Sequence, residues 1–274
     1  MTQPRVVVTG ATGLVGGAMV RHFGAVALTH ADLDITDAAA VRRVLGKLRP
    51  ELIIDCAVLG VDACEDDPAA AQAVNVAGPA ALAEVAERRR AAIVHFSSNY
   101  IFDGRERRLY TVNDDPNPVN EYGRTKLIGE CAVLVRCRRA FIIRSSWIFG
   151  EGKESFISSV HRKLRAGKRV QAVSDVFAST TSVTDLVAVV AQIIERKQYG
   201  LHQVVNDGVC SNESFAREAA RITGAREALI EPVSTRDVHH APRPRYTPLR
   251  ASTPLRDWRE ALREYILRDT GGGR

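Results

Sequence analysis

The sequence has no apolar run close to the roughly 20 residues that a membrane-spanning helix needs. Its five cysteines are scattered and form no C-x-x-C pair, which argues against a disulfide framework and against a zinc site. The start of the chain has no long apolar signal segment, and no nucleic-acid motif accompanies the net charge of +6. These absences predict a cytoplasmic protein without a bound metal ion, a membrane partner or a nucleic-acid partner.

Short apolar segments alternate with helical segments through the first half of the 274 residues. The apolar segments, which predict buried strands, are residues 5–9, 26–28, 52–54, 93–96 and 141–143. The helical segments include 37–48, 68–89 and 121–135. This alternation predicts an α/β protein with a doubly wound parallel sheet of Rossmann type.

The second half is less regular. It predicts helices at 154–164, 184–197, 212–223 and 257–267, and a strand at 201–205. The proline-rich segment 241–248 cannot be a central helix or strand, because prolines lack a backbone donor. We expect residues 1–150 to form a dinucleotide-binding domain. Residues 151–274 should form mostly a smaller substrate-binding lobe, with later segments returning to the first domain.

A glycine-rich turn follows the first strand and precedes the first helix. Gly10, Gly13 and Gly16 give the pattern G-x-x-G-x-x-G. Such glycines allow a tight turn and a close approach of the cofactor pyrophosphate to a helix amino terminus. The pattern predicts cofactor contacts at Gly10, Thr12, Gly13, Leu14, Val15 and Gly16.

The choice between NAD and NADP depends on the end of the second strand. That strand continues into Thr29 and His30, without a carboxylate that would bind a free ribose hydroxyl. His30 or Arg21 could approach a 2′-phosphate, so the sequence favours NADPH and leaves NADH possible. Asp34 has two interpretations: it faces the adenine, or it caps a helix.

Tyr122 and Lys126 form a Y-x-x-x-K pair. Residues four apart on a helix share one face, so the phenol and the ammonium group can point into the same cleft. A neighbouring cation lowers the pKa of a phenol, and a phenol so placed can give a proton to a carbonyl oxygen during reduction. Ser97 and Ser98 end a predicted strand, where a hydroxyl could stabilise the same oxygen.

These motifs resemble the extended short-chain dehydrogenase/reductase family, in particular its dTDP-4-dehydrorhamnose reductase branch. The resemblance covers nearly the whole chain. The segments that carry it are 9–16, 33–37, 95–104, 122–130 and 144–150.

The resemblance implies Ser98, Tyr122 and Lys126 as catalytic residues, with Ser98 in place of a threonine. It implies further cofactor contacts, besides Tyr122 and Lys126, at Asp34, Ile35, Cys56, Ala57, Val58 and Ser97. It places the substrate against Leu59, Val61, Asn99, Tyr100 and Trp147, and it gives Asn75 a structural role.

Three features depart from the branch. Leu59 replaces a polar residue, Asn99 replaces a carboxylate, and segment 242–246 differs from the late family motif. They imply a pocket altered from that of the rhamnose precursor, because a site that loses polar partners discriminates against its former ligand.

The resulting hypothesis is an NAD(P)H-dependent reductase of a keto group on a nucleotide-activated, dTDP-type 4-keto-deoxysugar or a related sugar. The resemblance also implies a homodimer. Two alternatives stay open. One is an NADP-binding regulatory subunit like that of methionine adenosyltransferase. The other is a sugar epimerase or dehydratase of the same fold.

Overall fold

The centre of the structure is a parallel sheet, seen in a computed structural model that describes residues 5–271. In chain order the strands are β1 (Val6–Thr9), β2 (Val26–Leu28), β3 (Leu52–Asp55), β4 (Ala92–Ser98), β5 (Ala140–Ser145), β6 (Ile148–Phe149), β7 (Val170–Val173), β8 (Phe177–Ala178), β9 (Thr181–Ser182), β10 (Gly200–Gln203), β11 (Ile230–Val233) and β12 (Tyr246–Thr247). Six of them form the central sheet in the order β2-β1-β3-β4-β5-β10. The others pair as β6 with β9, β7 with β11 and β8 with β12.

The helices cover both faces of this sheet and build the smaller lobe. They are α1 (Leu14–Phe23), α2 (Ala38–Leu48), α3 (Val61–Asp66), α4 (Pro68–Gln72), α5 (Gly78–Arg89), α6 (Glu121–Arg136), α7 (Phe156–Arg165), α8 (Val183–Glu195), α9 (Asn212–Thr223), α10 (Thr235–Val238) and α11 (Trp258–Gly271). A π-helical turn, Ala73–Ala77, joins α4 to α5. Within residues 5–271, none of the helices has both the length and the apolar character needed to cross a membrane.

The alternation of side chains along β1 divides the core between the two faces of the sheet. Val7 belongs to a cluster with residues of α2, α5 and α6. Val6 and Val8 belong to the opposite cluster, with residues of α1 and α8. Burial on both faces explains why β1 is an uninterrupted apolar run, as is usual for central parallel strands.

A separate hydrophobic cluster holds the smaller lobe together. It combines side chains of α7, α9 and α11, and Phe215 stacks on Trp258 with ring centroids 5.5 Å apart. The division of the chain near residue 150 stays a prediction. In the described structure β10 is a strand of the central sheet and α8 packs against that sheet, whereas α7, α9 and α11 share the second cluster.

The sheet positions a ligand site at the carboxyl ends of β1 and β3. The chain passes from β1 to β2 at the edge and then returns to β3 on the other side of β1. This reversal is the point where open α/β sheets bind dinucleotides. The predicted doubly wound parallel sheet is confirmed.

Two details differ from the sequence-based prediction. The helix expected over 68–89 is interrupted by the π-helical turn, which places Asn75 in the interior. The sequence does not predict the short strands β6 to β9, β11 and β12. Four of them, β6, β8, β9 and β12, have only two residues and leave no periodic signal.

Candidate active site

The glycine loop has the geometry of a cofactor cradle. Gly10 lies in the left-handed region with a φ of 63°, and a Cβ there would be 2.5 Å from the carbonyl oxygen of Cys56. A Cβ on Gly16 would be 2.2 Å from the carbonyl oxygen of Gly10. Gly13 precedes α1 and provides no side-chain cap. The amide groups of the first helical turn are therefore available to an anion.

A cavity of about 570 Å³ opens beside this loop. Its lining includes Thr12, Gly13 and Leu14, together with the cationic residues Arg21 and Lys153. Positive charge beside a helix amino terminus suits the phosphate groups of a dinucleotide. The residues present thus fit the cofactor that the sequence predicted.

The other predicted cofactor residues occupy different surroundings. Cys56 and Ala57 lie directly against Gly10, and Val58 is half exposed next to them. The side chain of Ile35 is buried and packs against the start of α5, so it belongs to the core. Val15 packs against the cluster under α1. The side chains of Ile35 and Val15 therefore contribute to the core, and a contact of either residue with the cofactor stays a prediction.

The acidic residues after β2 have hydrogen-bond partners that the sequence does not predict. Asp34 accepts hydrogen bonds from the backbone and hydroxyl of Thr36, at 2.9 and 2.7 Å, and the helix cap is Asp37 instead. Asp32, which sequence reasoning missed, accepts hydrogen bonds from the backbone and hydroxyl of Thr29, at 2.9 and 2.7 Å. β2 itself ends without a carboxylate, as predicted, but the Asp32 side chain folds back to the first residue after the strand.

A cleft of about 250 Å³ brings Ser97, Ser98 and Tyr122 together. The serines end β4, and Tyr122 lies in the first turn of α6. Gly123 allows this approach, because a Cβ there would lie 2.0 Å from the carbonyl oxygen of Tyr100. The hydroxyl of Ser97 is buried without a hydrogen-bond partner among the described residues, so it is free for a ligand.

The surroundings of Tyr122 keep its phenol protonated. Burial raises the pKa of Tyr122 to about 12, although its hydrogen bond with Ser98 opposes this rise. The lowering of this pKa by Lys126, expected from the sequence, is not seen. The phenol therefore carries its proton at neutral pH, which is the form that can protonate a carbonyl oxygen.

Lys126 is buried and contacts a histidine. Its Nζ lies 3.3 Å from His95 Nε2, and His95 Nδ1 lies 2.8 Å from a carboxylate oxygen of Asp55. Burial lowers the pKa of Lys126, and the negative charges of Asp55 and Glu130 oppose this effect. Neither Asp55 nor His95 was predicted as a site residue.

Four of the five predicted substrate residues, Val61, Asn99, Tyr100 and Trp147, line the cleft. Leu59 is not among its lining residues; its backbone N–H donates to the side-chain oxygen of Asn75 at 2.9 Å, and its carbonyl accepts from the Asn75 amide at 3.4 Å. The Asn99 amide donates to the Thr247 hydroxyl at 2.7 Å, so it ties the cleft to β12. The backbone of Trp147 has a φ of 35°, a strained value for a residue with a Cβ.

A second cavity, of about 280 Å³, shares Tyr100 and Trp147 with the cleft and extends under the smaller lobe. Arg243, which sequence reasoning did not select, lines it. Its guanidinium donates to Asp62 at 2.7 Å and to the carbonyl of Ala241 at 3.1 Å. The available signal was a single arginine between two prolines, within the segment considered altered.

The residues described, 5–271, contain no group of three or more His, Cys, Asp or Glu side chains arranged to hold a metal ion. The parallel sheet, the glycine loop and the Tyr122–Lys126 pair beside the serines of β4 define a member of the extended short-chain dehydrogenase/reductase class.

Within this class, a family model described as RmlD substrate binding domain matches residues 4–270, and the chain belongs to this family. It is 38% identical over 284 residues to a dTDP-4-dehydrorhamnose reductase of Mycolicibacterium smegmatis, covering 97% of this chain and 86% of that protein. It is 34% identical over 273 residues to a dTDP-4-keto-6-deoxy-D-glucose reductase of Streptomyces niveus, covering 94% and 95%.

A solved structure supports the same family assignment. The crystal structure of dTDP-4-dehydrorhamnose reductase from Bacillus anthracis in complex with NADP has a TM-score of 0.92 and 28% sequence identity to this chain. It covers 97% of this chain and 100% of the other. The predicted family and branch are confirmed.

Proposed function

We propose that this protein is an NADPH-dependent reductase of the keto group of a dTDP-linked 4-keto-6-deoxysugar. The observation that carries the proposal is the meeting of Ser98 and Tyr122 in one cleft, with Lys126 one helical turn further along α6. The names of the relatives and the bound NADP of the Bacillus anthracis enzyme support the substrate class and the cofactor.

The site residues divide the chemistry between them. When bound, the nicotinamide supplies the hydride that reduces the carbonyl carbon. Tyr122 gives its phenolic proton to the carbonyl oxygen as negative charge builds there. Ser98 donates a hydrogen bond to the same oxygen after turning from Asn99, whose Oδ1 it contacts at 3.2 Å. Lys126 adds positive charge and would hold the cofactor by donating to its ribose.

The second cavity is suited to the nucleotide part of the substrate. It has apolar and aromatic walls, including Phe156 and Trp147, which can pack against a base. Arg243 is held in place by Asp62 at 2.7 Å, and its remaining guanidinium N–H groups suit the oxygens of the diphosphate. We include in the proposal a cytoplasmic location, which five free cysteines support, and a homodimer, which the resemblance supports.

The direct test is a screen of NADPH and NADH oxidation by the purified protein with dTDP-, UDP-, GDP- and CDP-linked 4-keto sugars. We expect turnover with a dTDP-linked 4-keto-6-deoxysugar and a reduced sugar as product by mass spectrometry. Bound NADPH without oxidation by any of these sugars would contradict the proposal and favour a regulatory subunit. An isomerised or dehydrated product would favour an epimerase or dehydratase.

Asp32 leads to a prediction about the cofactor. Its carboxylate lies beside Thr29, directly after β2, where it would face the adenosine ribose. Asp32→Asn keeps an acceptor for Thr29 but removes a charge that repels a 2′-phosphate. Because exposed charges interact only weakly through water, we expect the ratio of kcat/KM for NADPH to that for NADH to rise by no more than about fivefold.

The matched control is Asp115→Asn, at an exposed loop residue. It should leave the ratio unchanged. An unchanged ratio in Asp32→Asn itself would show that this carboxylate does not face the 2′ position.

A further inference from the structure

A chain of buried polar groups connects the cofactor cradle to the catalytic lysine. Thr9, the last residue of β1, donates its hydroxyl to Asp55 at 2.8 Å. Asp55 also accepts the backbone N–H of Ala57 at 3.3 Å and contacts His95 at 2.8 Å. His95 reaches Lys126 at 3.3 Å. Thr9, Asp55, His95 and Lys126 are each at most 2% exposed.

The fold leaves space for this imidazole. Gly129 lies one turn after Lys126 on α6, and a Cβ there would be 3.4 Å from His95 Nε2 and 2.3 Å from the carbonyl oxygen of Asn75. A larger residue would push α6 away from the π-helical turn that carries Asn75. Gly129 thus allows the close packing of α6 beside which His95 and Lys126 meet.

The carboxylate determines which nitrogen of His95 carries the proton. Burial raises the pKa of Asp55, but the hydrogen bond from His95 and the charge of Lys126 outweigh this effect and hold the pKa below its usual value. An ionised carboxylate only accepts hydrogen bonds, so Nδ1 of His95 carries the proton. Nε2 then presents its lone pair to the ammonium group. Burial and the charge of Lys126 lower the pKa of His95, so its ring stays neutral.

Several ionisable groups face Lys126, and among those in residues 5–271 one unpaired negative charge is left to balance it. Cys56 and Cys64 approach from the loop after β3 and from α3, and burial raises the pKa of both thiols, so they are neutral. Glu130 on α6 is already paired with Arg144 on β5, at 2.7 Å. The charge of Asp55, acting through His95, therefore remains for Lys126.

We propose that His95 is a positioning residue: held by Asp55, it fixes the ammonium group of Lys126 in register with the cofactor cradle. One donor of Lys126 is used by His95, and two remain for the cofactor and the cleft. The role of Lys126 in turnover rests on the proposed reductase function. The hydrogen-bonded state of His95 does not.

The first test is nitrogen NMR of the imidazole rings in the unliganded protein, with His95→Gln used to assign the signal. We expect a neutral ring with its proton on Nδ1 across the neutral pH range, and a shifted Nε2 resonance in Lys126→Met. A ring protonated on Nε2, or one that titrates like a free histidine, would overturn the proposal. This readout stands even if no sugar is reduced.

The second test is the pH profile of kcat with the sugar that gives turnover. The alkaline limb of this profile is the fall of kcat at high pH. Asp55→Asn should move it down by about one pH unit, because loss of a nearby negative charge favours the neutral amine of Lys126. His95→Phe should lower kcat roughly tenfold, as for other groups that orient catalytic side chains. His95→Gln should recover part of this loss, since its amide oxygen can accept from Lys126.

His161 is the matched control. It is also a fully buried histidine, paired with Asp269 at 2.8 Å, but it lies on α7 in the smaller lobe. His161→Phe should reduce thermal stability without moving the alkaline limb. If Asp55→Asn likewise lowers only stability, with the limb and the NADPH dissociation constant unchanged, the positioning role is refuted. Should His95→Phe not fold, Asp55→Asn and the NMR experiment decide.

Discussion

Tyr122→Phe is expected to reduce kcat for sugar reduction by roughly 10²- to 10⁴-fold, the contribution of a positioned general acid. The substitution removes only the hydroxyl that lines the cleft beside Ser98. The glycine loop and the cavity beside Arg21 and Lys153 are unchanged. NADPH should therefore bind with nearly the same dissociation constant, as measured by fluorescence titration.

Tyr110→Phe provides the control. Tyr110 is also buried and its hydroxyl donates to Asp103 at 3.1 Å, but it packs in a cluster with Phe102, outside the cleft. We expect near-normal kcat for this variant. Equal activities of the two variants would remove Tyr122 from the mechanism. A parallel loss of NADPH binding in Tyr122→Phe would mean that the phenol holds the cofactor.

Glu130→Ala is expected to destabilise the protein by about 3 to 5 kcal/mol, because it leaves Arg144 as an uncompensated buried charge. The two side chains are 3% and 5% exposed and are joined by several hydrogen bonds. One guanidinium nitrogen of Arg144 already lacks a hydrogen-bond partner among the described residues. The measurement is the free energy of unfolding from urea denaturation.

The surface offers a matched pair for comparison. Arg217 and Glu213 are joined at 2.8 Å on α9, with side chains 41% and 23% exposed. Glu213→Ala should cost less than about 1 kcal/mol, as is usual for exposed ion pairs. In contrast, the double variant Glu130→Leu, Arg144→Met should recover much of the lost stability, since both buried charges are gone. If Glu130→Ala costs no more than Glu213→Ala, Arg144 is solvated or paired elsewhere.

The parts of the site that could be predicted from the sequence are those with a local signal. The glycine loop has a fixed spacing and follows an apolar strand, and Tyr122 and Lys126 are one helical turn apart. Side chains on such local patterns are positioned by the element that bears them. Ser97 and Ser98 were found for the same reason, since they end a strand at the ligand-binding edge of the sheet.

The parts that could not be predicted depend on contacts between distant segments. His95 meets Asp55 across 40 residues, and Arg243 meets Asp62 across 181. Neither pair leaves a pattern in the chain. The turn that returns Asp32 to Thr29 spans only three residues. The sequence pattern does not reveal it, because that pattern places a ribose-binding carboxylate at the end of the strand itself. The pKa of Tyr122 was misjudged because burial, which raises it, depends on the whole fold.

The placement of β10 beside β5 has a consequence for how such enzymes diversify. The chain between these strands, and the chain after β10, build the walls of the second cavity. Most of the side chains that would recognise the nucleotide thus lie in connections rather than in the sheet. A duplicated gene can exchange these connections for a new sugar while retaining the strands, the glycine loop and the proton donor. The residues that carry the reaction and those that select the substrate can in this way change independently.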